Sequence, residues 1–143
     1  FKTWHFIVNS NGARIAISKG FSPIHVSFSH SPNWFAVAIS PDPIGIDVEE
    51  TKPTRPWQNM TNFLNLPDAL PKIEDEISFL KYWTISEALF KFRSAAQKSA
   101  VSHDYPYCAN SKTIVGIVTS SNEYPTYKNG AHLLERHSLK LLC

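Results

Sequence analysis

The stretch Gly45-Ile46-Asp47-Val48-Glu49-Glu50 decides the fold, because apolar and acidic residues alternate in it. Successive side chains of a β-strand point to opposite faces. Ile46 and Val48 are therefore predicted to enter a core, while Asp47 and Glu49 project together from the other face. Acidic residues are depleted in strands, and two on one face repel each other. The stretch thus predicts a strand whose acidic face is compensated by a cation, with Glu50 solvated on the opposite face.

The chain ahead of this strand is predicted to consist of β-strands. Alternating or continuous apolar residues indicate four of them, at residues 1–10, 14–18, 25–29 and 33–40. The turn at residues 9–12, Asn-Ser-Asn-Gly, makes the first two a hairpin. The run at 33–40 is apolar throughout, as in a strand buried on both faces. Only Pro41-Asp42-Pro43 follows it, so it is predicted to be antiparallel to the acidic strand.

A long helix is predicted after the acidic strand. Residues 73–98 carry apolar side chains at helical spacing, and acids at 74–76 suit the positive end of the helix dipole. The helix contains Trp83-Thr84-Ile85-Ser86-Glu87-Ala88-Leu89-Phe90-Lys91, in which Glu87 and Lys91 are four residues apart and share a face. They are either a surface ion pair worth about 0.2–0.5 kcal/mol or two functional groups. The buried face is predicted to comprise Ile85, Ala88, Leu89 and Phe92.

Other segments give weaker patterns. Residues 58–66 predict a short helix, 113–119 a strand and 138–142 a closing strand. Residues 103–109 are predicted to be a loop, because Pro106 interrupts them. Residues 124–130 are irregular in pattern, and 132–135 fit no single element.

Composition indicates one domain or a compact pair of half-domains. The 143 residues are 43% hydrophobic and 13% aromatic, enough for a real core. A net charge of +2 does not predict nucleic-acid binding but is compatible with an anionic ligand or an acidic partner. No apolar run approaches a membrane span and no signal peptide is visible, so a cytoplasmic protein is expected. Cys108 and Cys143 lack metal-site or redox spacing and are read as free thiols rather than a disulfide.

Two groups of residues point to phosphate chemistry. Three acids, Asp47, Glu49 and Glu87, together with Lys91 would make a site for a hard cation and a phosphate, since Mg²⁺ favours a few carboxylates with water and phosphate oxygens. The segment Phe28-Ser29-His30-Ser31 ends a strand. Its histidine either caps a turn or, with the two serine hydroxyls, donates to phosphate oxygens.

In chain order, the three stretches are the Ser-His-Ser segment, the acidic strand and the Trp83–Lys91 helix segment. Their order and spacing between Trp4 and about Lys91 resemble the 4′-phosphopantetheinyl transferases, specifically the Sfp-like group. The resemblance implies an α+β fold of two similar halves, each a small antiparallel sheet packed by a helix, with the site at their junction. Residues 1–44 would be a partial N-terminal half and 45–143 the C-terminal half with the metal site. Members usually carry more chain before the Trp4 segment, so the first half is expected to be incomplete. The chain would then be a truncation, a short member that dimerises or a degenerate copy.

The resemblance also implies an activity and its catalytic residues. The enzyme would transfer 4′-phosphopantetheine from coenzyme A to a serine of an acyl or peptidyl carrier protein and release 3′,5′-ADP. Asp47, Glu49 and Glu87 would hold Mg²⁺. Glu87 would also be the base for the carrier serine, and Lys91 would stabilise or protonate the leaving phosphate.

Further residues would bind the nucleotide. Ser29 and His30 would contact a coenzyme A phosphate. In the family's GKP-like motif a basic residue follows a glycine, and here the run is Gly12-Ala13-Arg14, so Arg14 is either the equivalent residue or a solvated hairpin arginine. Ser86 stands where many members have a lysine that helps to hold the phosphates, which predicts weaker binding of coenzyme A.

Two alternatives remain open from the sequence. The first is a carrier-protein or nucleotide-binding module that kept the fold and lost turnover. The second is another Mg²⁺-dependent phosphoryl-transfer enzyme or hydrolase that uses the same three acids.

Overall fold

The computed structural model describes residues 3–64, 73–96, 102–120 and 140–142. These residues form an α+β fold of two antiparallel sheets and two α-helices, the second of them long. The strands are β1 (His5–Val8), β2 (Arg14–Ile17), β3 (Ile24–Ser31), β4 (Trp34–Ser40), β5 (Ile44–Glu50), β6 (His103–Asn110), β7 (Thr113–Thr119) and β8 (Lys140–Leu142). The helices are α1 (Trp57–Met60), which a 3-10 turn at Thr61–Phe63 follows, and α2 (Glu76–Ala95).

The first sheet has five strands in the order β1-β2-β3-β4-β8, and the second has three in the order β5-β7-β6. The predicted hairpin of β1 and β2 is confirmed. Its turn is held by the Asn9 side chain, whose Oδ1 accepts hydrogen bonds from the backbone N–H groups of Asn11 and Ala13, both at 2.9 Å. Gly12 adopts a φ of +85° there, a conformation that glycine takes without steric cost.

The predicted antiparallel pair of β4 and β5 does not form, because the two strands belong to different sheets. β4 pairs with β3 and β8, whereas β5 pairs with β7. The Pro41-Asp42-Pro43 connection carries the chain from one sheet to the other, and the strands stack face to face. Ala36 and Ala38 of β4 share one buried cluster with the apolar side chains of β5. The face of β4 that carries Ala36 and Ala38 is therefore covered by the second sheet, whereas Val37 on its other face packs with Ala16 and Val26 of its own sheet.

The alternation in β5 is as predicted. Ile44, Ile46 and Val48 are at most 2% exposed and lie in the core between the sheets. The other face of the second sheet is covered by α2. Gly45 permits this contact, since a Cβ there would overlap the carbonyl oxygen of Ala88. A Cβ on Gly116 would lie 2.6 Å from the Thr84 carbonyl carbon. Two glycines therefore let the helix backbone rest on the sheet.

Helix α2 begins at the predicted acidic segment. Asp75 is its N-cap, and its Oδ1 accepts a 2.6 Å hydrogen bond from the Ser78 N–H. Of the predicted buried face, Ala88 and Phe92 are buried, while Ile85 and Leu89 are half-buried. The remaining buried residues of this helix are Phe79, Leu80 and Thr84.

The C-terminal part of the chain departs from the sequence prediction. Residues 103–110 form strand β6, so the predicted loop is wrong. Pro106 lies opposite Gly116 on this edge strand, where a missing N–H breaks no ladder on the outer side. The predicted strand at 113–119 is confirmed, and so is the closing strand for residues 140–142. Residues 124–130, 132–135 and 138–139 lie outside the described part of the chain.

Strand β8 belongs to the first sheet, where it pairs with β4. The C-terminal half assigned from the sequence therefore contributes a strand to the sheet of the N-terminal half. A helix long and apolar enough to cross a membrane does not occur within the described ranges.

Candidate functional site

A row of serines on β3 faces the edge of β5. Ser27, Ser29 and Ser31 are two residues apart, so they project from one face of the strand. The Ile46 N–H donates to Ser27 Oγ at 3.1 Å, and the Val48 N–H donates to Ser29 Oγ at 3.3 Å. Among the residues that the structure describes, β5 is an edge strand and these N–H groups have no strand partner, so the serine hydroxyls satisfy them. We call Ser27, Ser29 and Ser31 the serine row.

The three stretches singled out in the sequence meet at Asp47. Its Oδ1 accepts a hydrogen bond from Ser29 Oγ at 2.7 Å and another from Lys91 Nζ at 2.9 Å. Lys91 also donates to the Ile46 carbonyl at 2.9 Å. Asp47 is 6% exposed, and its Oδ2 is buried without a hydrogen-bond partner among the described residues. Two donors thus fix Oδ1, whereas the buried Oδ2 accepts no hydrogen bond from the described residues.

Glu49 follows Asp47 on the same face of β5, and its partner is Arg55. The Arg55 Nη2 lies 2.6 Å from Glu49 Oε2, and the Nε lies 3.5 Å from Glu76 Oε1 at the start of α2. The arginine side chain is 8% exposed, and its Nη1 is buried without a partner in the described ranges. Sequence reasoning missed Arg55. Its only signal was a cation in the short loop that follows the acids, and a loop pattern does not say where such a side chain turns.

Glu87 lies one turn before Lys91 on α2 and is half-buried. Across the part of the chain that the structure describes, Glu87 forms no ion pair, because Lys91 turns toward β5. The surface-pair interpretation of these two residues is therefore wrong. Trp83, which precedes Glu87 by one turn, packs on Phe79 with 5.6 Å between ring centroids. This side of the helix is thus not a simple polar surface.

The predicted metal ligands are not gathered in this structure. No three histidine, cysteine or acidic side chains among the described residues are arranged to hold a metal ion. The donor chemistry still suits Mg²⁺, since Asp47 and Glu49 offer carboxylate oxygens. The unpartnered Oδ2 of Asp47 is an acceptor that a cation would satisfy. The carboxylates are therefore ligands of the type that Mg²⁺ binds. In this structure Lys91 balances the charge of Asp47, and Arg55 balances the charge of Glu49.

The predicted nucleotide ligands are separated. Ser29 faces β5, whereas His30 is exposed on the opposite face of β3. Arg14 lies on β2, and its guanidinium carbon is 5.5 Å from the centre of the Phe28 ring. Arg14 and Lys91 line one cleft of about 200 Å³ between the hairpin turn and the end of α2. The Arg14 guanidinium therefore packs on the same face of β3 as His30, whereas the Lys91 ammonium lies against Asp47 on the face of Ser29.

The hairpin turn is tied directly to α2 at this cleft. Asn9 Nδ2 donates to the Ser94 carbonyl at 3.2 Å. The contact joins the first sheet to the C-terminal end of the helix. The cleft therefore has walls from both, and Asn9, which the sequence marked only as a turn residue, helps to hold them together.

Two titratable groups near the site have shifted pKa values. Glu50, predicted to be solvated, accepts hydrogen bonds from Ser31 Oγ (3.0 Å), Asn33 N (3.1 Å) and Asn33 Nδ2 (3.0 Å). The Asn33 side-chain bond is the main cause that lowers the pKa of Glu50. Burial lowers the pKa of His25, and the nearby charge of Asp42 partly opposes that shift. Glu50 is partly exposed, as the prediction of a solvated residue requires, and the turn after β3 also folds back onto its carboxylate.

Comparisons with known proteins add no family assignment. No family model matches the chain, and no curated protein matches it either.

Proposed function

We propose that this chain is a 4′-phosphopantetheinyl transferase that acts in the cytoplasm. It would transfer the phosphopantetheine arm of coenzyme A to a serine of an acyl or peptidyl carrier protein and release 3′,5′-ADP. The observation that supports this most is the contact of Ser29 and Lys91 with one oxygen of Asp47. Three stretches that resemble the family's motifs, from β3, β5 and α2, thereby converge on one carboxylate.

The cleft beside this carboxylate supports binding of an anionic ligand. Arg14 and Lys91 both line it, and a cationic side chain favours a phosphate group by charge-assisted hydrogen bonding. The Lys91 side chain is 30% exposed, and its ammonium already donates to Asp47 and to the Ile46 carbonyl. We assign Arg14 to the coenzyme A phosphates and Lys91 to the phosphate that leaves as the bond breaks. His30 would contribute only if the nucleotide reached the outer face of β3.

Asp47, Glu49 and Glu87 would hold Mg²⁺. The ion would neutralise charge on the pyrophosphate as its P–O bond breaks. A preassembled cage of three acids is not required, because Mg²⁺ in phosphoryl-transfer sites takes one or two carboxylates and keeps water and substrate phosphate oxygens as its other ligands. Glu49 is held by Arg55 in the absence of the ion, so its participation requires that this pair open.

Glu87 would act as the base for the carrier serine. It is half-buried and makes no ion pair among the residues described, so its carboxylate is available to accept a proton. As the serine oxygen bonds to the phosphorus of the phosphopantetheine arm, its proton passes to Glu87 and the bond to 3′,5′-ADP breaks. Lys91 then neutralises the departing phosphate. The proposal includes the family fold of two similar halves, over residues 1–44 and 45–143.

A binding module is the second candidate, and the charge arrangement favours it. Both strand acids are already paired with protein cations, Asp47 with Lys91 and Glu49 with Arg55. A protein that binds coenzyme A or a carrier without turnover needs no more than this. A third candidate, a Mg²⁺-dependent hydrolase, differs by releasing 3′,5′-ADP without a carrier.

One experiment separates the three candidates. The protein is incubated with coenzyme A, Mg²⁺ and an apo carrier protein, and the carrier is weighed by mass spectrometry while 3′,5′-ADP is measured. A carrier mass raised by one phosphopantetheine group, with equal release of 3′,5′-ADP, supports the transferase. Release without carrier modification supports the hydrolase. Binding of coenzyme A by calorimetry with neither product supports the binding module.

A further inference from the structure

The Ser29 hydroxyl is fully engaged within the protein. Its oxygen lies 2.7 Å from Asp47 Oδ1 and 3.3 Å from the Val48 nitrogen. A serine hydroxyl has one proton to donate, and a backbone N–H can only donate. The proton therefore goes to Asp47. A phosphate oxygen is an acceptor, so Ser29 cannot bind one without releasing Asp47.

The burial of Ser29 also argues against contact with a phosphate. Ser29 is 9% exposed, beneath the edge of β5, and the neighbouring exposed side chain, His30, projects from the other face of the strand. A phosphate would have to separate β3 from β5 to reach Ser29. The loss would include the hydrogen bond from the Val48 N–H to Ser29 Oγ, and a buried backbone donor left without a partner is costly.

The contact gives Asp47 a fixed orientation. The terminal torsion of an aspartate is broad and roughly two-fold, so the carboxylate turns easily unless hydrogen bonds hold it. Ser29 and Lys91 both donate to Oδ1, which leaves the buried Oδ2 as the oxygen free to accept. The two donors come from different elements, β3 and α2. Ser29 and Lys91 therefore determine that Oδ2, and not Oδ1, is the oxygen presented to a ligand.

We propose that Ser29 is a positioning residue, which fixes the Asp47 carboxylate, and that it does not bind a coenzyme A phosphate. This inference rests on the proposed function, and it replaces the role that the family resemblance gives to Ser29. Groups that hold a metal-binding carboxylate in place typically contribute roughly 10- to 100-fold to metal affinity or activity.

The serine row contains a matched control. Ser27 and Ser29 are both buried, and each accepts one N–H from β5. Of these two serines, only Ser29 also donates to a carboxylate. Ser27→Ala therefore removes the backbone contact alone, whereas Ser29→Ala removes the backbone contact and the Asp47 contact.

The first test is a double-mutant cycle on urea unfolding. Ser27→Ala and Ser29→Ala are each combined with Asp47→Ala, and the unfolding equilibrium constants of the four proteins in each of the two cycles are compared. We expect a coupling of about tenfold between Ser29 and Asp47, the size typical of a hydrogen bond to a charged group. Ser27 and Asp47 should be additive within about twofold. A Ser29 coupling no larger than that of Ser27 overturns the proposal.

The second test separates positioning from ligand binding. With Ser29→Ala, we expect the carrier-modification rate at saturating coenzyme A to fall by roughly 10- to 100-fold. The Kd for coenzyme A should stay within about twofold of the Ser27→Ala value, since no phosphate contact is lost. A Kd at least tenfold weaker than that of Ser27→Ala, with an unchanged saturating rate, would identify Ser29 as a phosphate ligand and overturn the proposal.

The two tests distinguish failure of the proposed function from failure of the proposed role of Ser29. If the parent protein modifies no carrier, the proposed function fails, and the unfolding cycle still decides whether Ser29 holds Asp47. If Ser29→Ala does not fold, Ser29→Cys takes its place in the cycle. It preserves the shape of the side chain, and its thiol is a weak donor. Its coupling to Asp47 should be smaller than that of the parent serine, and an equal coupling would contradict the proposal.

Discussion

The Lys91 ammonium lies 2.9 Å from Asp47 Oδ1 and so joins helix α2 to strand β5 across 44 residues of sequence. The aspartate is nearly buried, and the lysine is partly exposed. Removing either side chain should reduce stability, because the remaining charge keeps its desolvation cost and loses the attraction of its partner.

This dependence predicts the stability of Asp47→Ala. We expect the variant to lose about 1–3 kcal/mol of unfolding free energy, less than for a fully buried pair because Lys91 reaches solvent. Adding Lys91→Met should recover part of the loss, since it removes the unpaired ammonium. Urea unfolding of the two single variants and the double variant measures this. Additive losses would show that the two residues do not interact.

Arg55 should control the availability of Glu49. Arg55→Met leaves two carboxylates, Glu49 and Glu76, without their cation, and we expect a loss of about 2–4 kcal/mol. If the proposed metal site exists, calorimetry with Mg²⁺ alone should show tighter binding in this variant, because Glu49 is released. Arg55→Lys is the control, since it keeps the charge. Mg²⁺ affinity that is equal in Arg55→Met and the parent would contradict a role for Glu49 as a ligand.

Glu87→Gln gives a separate test of catalysis. Glu87 makes no ion pair within the described ranges, so the variant should unfold within about 0.5 kcal/mol of the parent. Under the proposed function, its rate of carrier modification should fall by about 10²-fold or more, because the base for the carrier serine is lost. Activity near that of the parent would exclude Glu87 as the base.

Gly45→Ala should be strongly destabilising. The new Cβ would overlap the Ala88 carbonyl oxygen, which belongs to backbone and cannot move without shifting α2. Overpacking costs about 1–3 kcal/mol, and contact with backbone should bring the cost to the upper end of that range. Gly12→Ala is the control, because nothing lies within 4 Å of its added Cβ and only the left-handed φ opposes it, at about 1–2 kcal/mol. Equal losses in both variants would show that α2 does not press on β5.

The pH dependence of stability should include a contribution from Glu50. Its hydrogen bonds to Asn33 and Ser31 lower its pKa in the folded state, so its contribution is present above the ordinary value of 4.5. The contribution is lost as the pH falls below 4.5 through the lowered folded-state pKa. Unfolding free energies measured across this range should fall less steeply for Glu50→Gln than for the parent. Parallel curves would show that the carboxylate gains nothing from these bonds.

Local patterns in the sequence predicted most of the elements. The alternation from Ile46 to Glu49 identified a strand with one core face and one acidic face, because side-chain direction in a strand depends on position alone. The acidic segment at Asp75 likewise marked the start of α2. What the local pattern could not supply was the partner of each strand. Strand β4 ends at a short turn, yet its neighbour in the chain lies in the other sheet.

The site shows the same limit. Sequence placed Asp47, Lys91 and Ser29 in one pocket, and the structure brings these three together. It could not assign the hydroxyl proton of Ser29 or bring Arg55 to Glu49, since both depend on contacts between elements that are distant in sequence or joined by an irregular loop. Pro106 was misread for a related reason. A proline excludes a central strand, but it does not exclude an edge strand.

The pairing of β8 with β4 sets an order of events in folding. Val37 lies opposite Leu142, so β8 joins the first sheet only after the whole segment between β4 and residues 140–142 has been made. Pairings between distant segments form slowly, because the entropy of closing the intervening loop must be overcome first. Until then, one edge of the apolar strand β4 remains open to association with other chains. The interval between translating β4 and β8 is therefore when this edge is exposed to pairing with another chain.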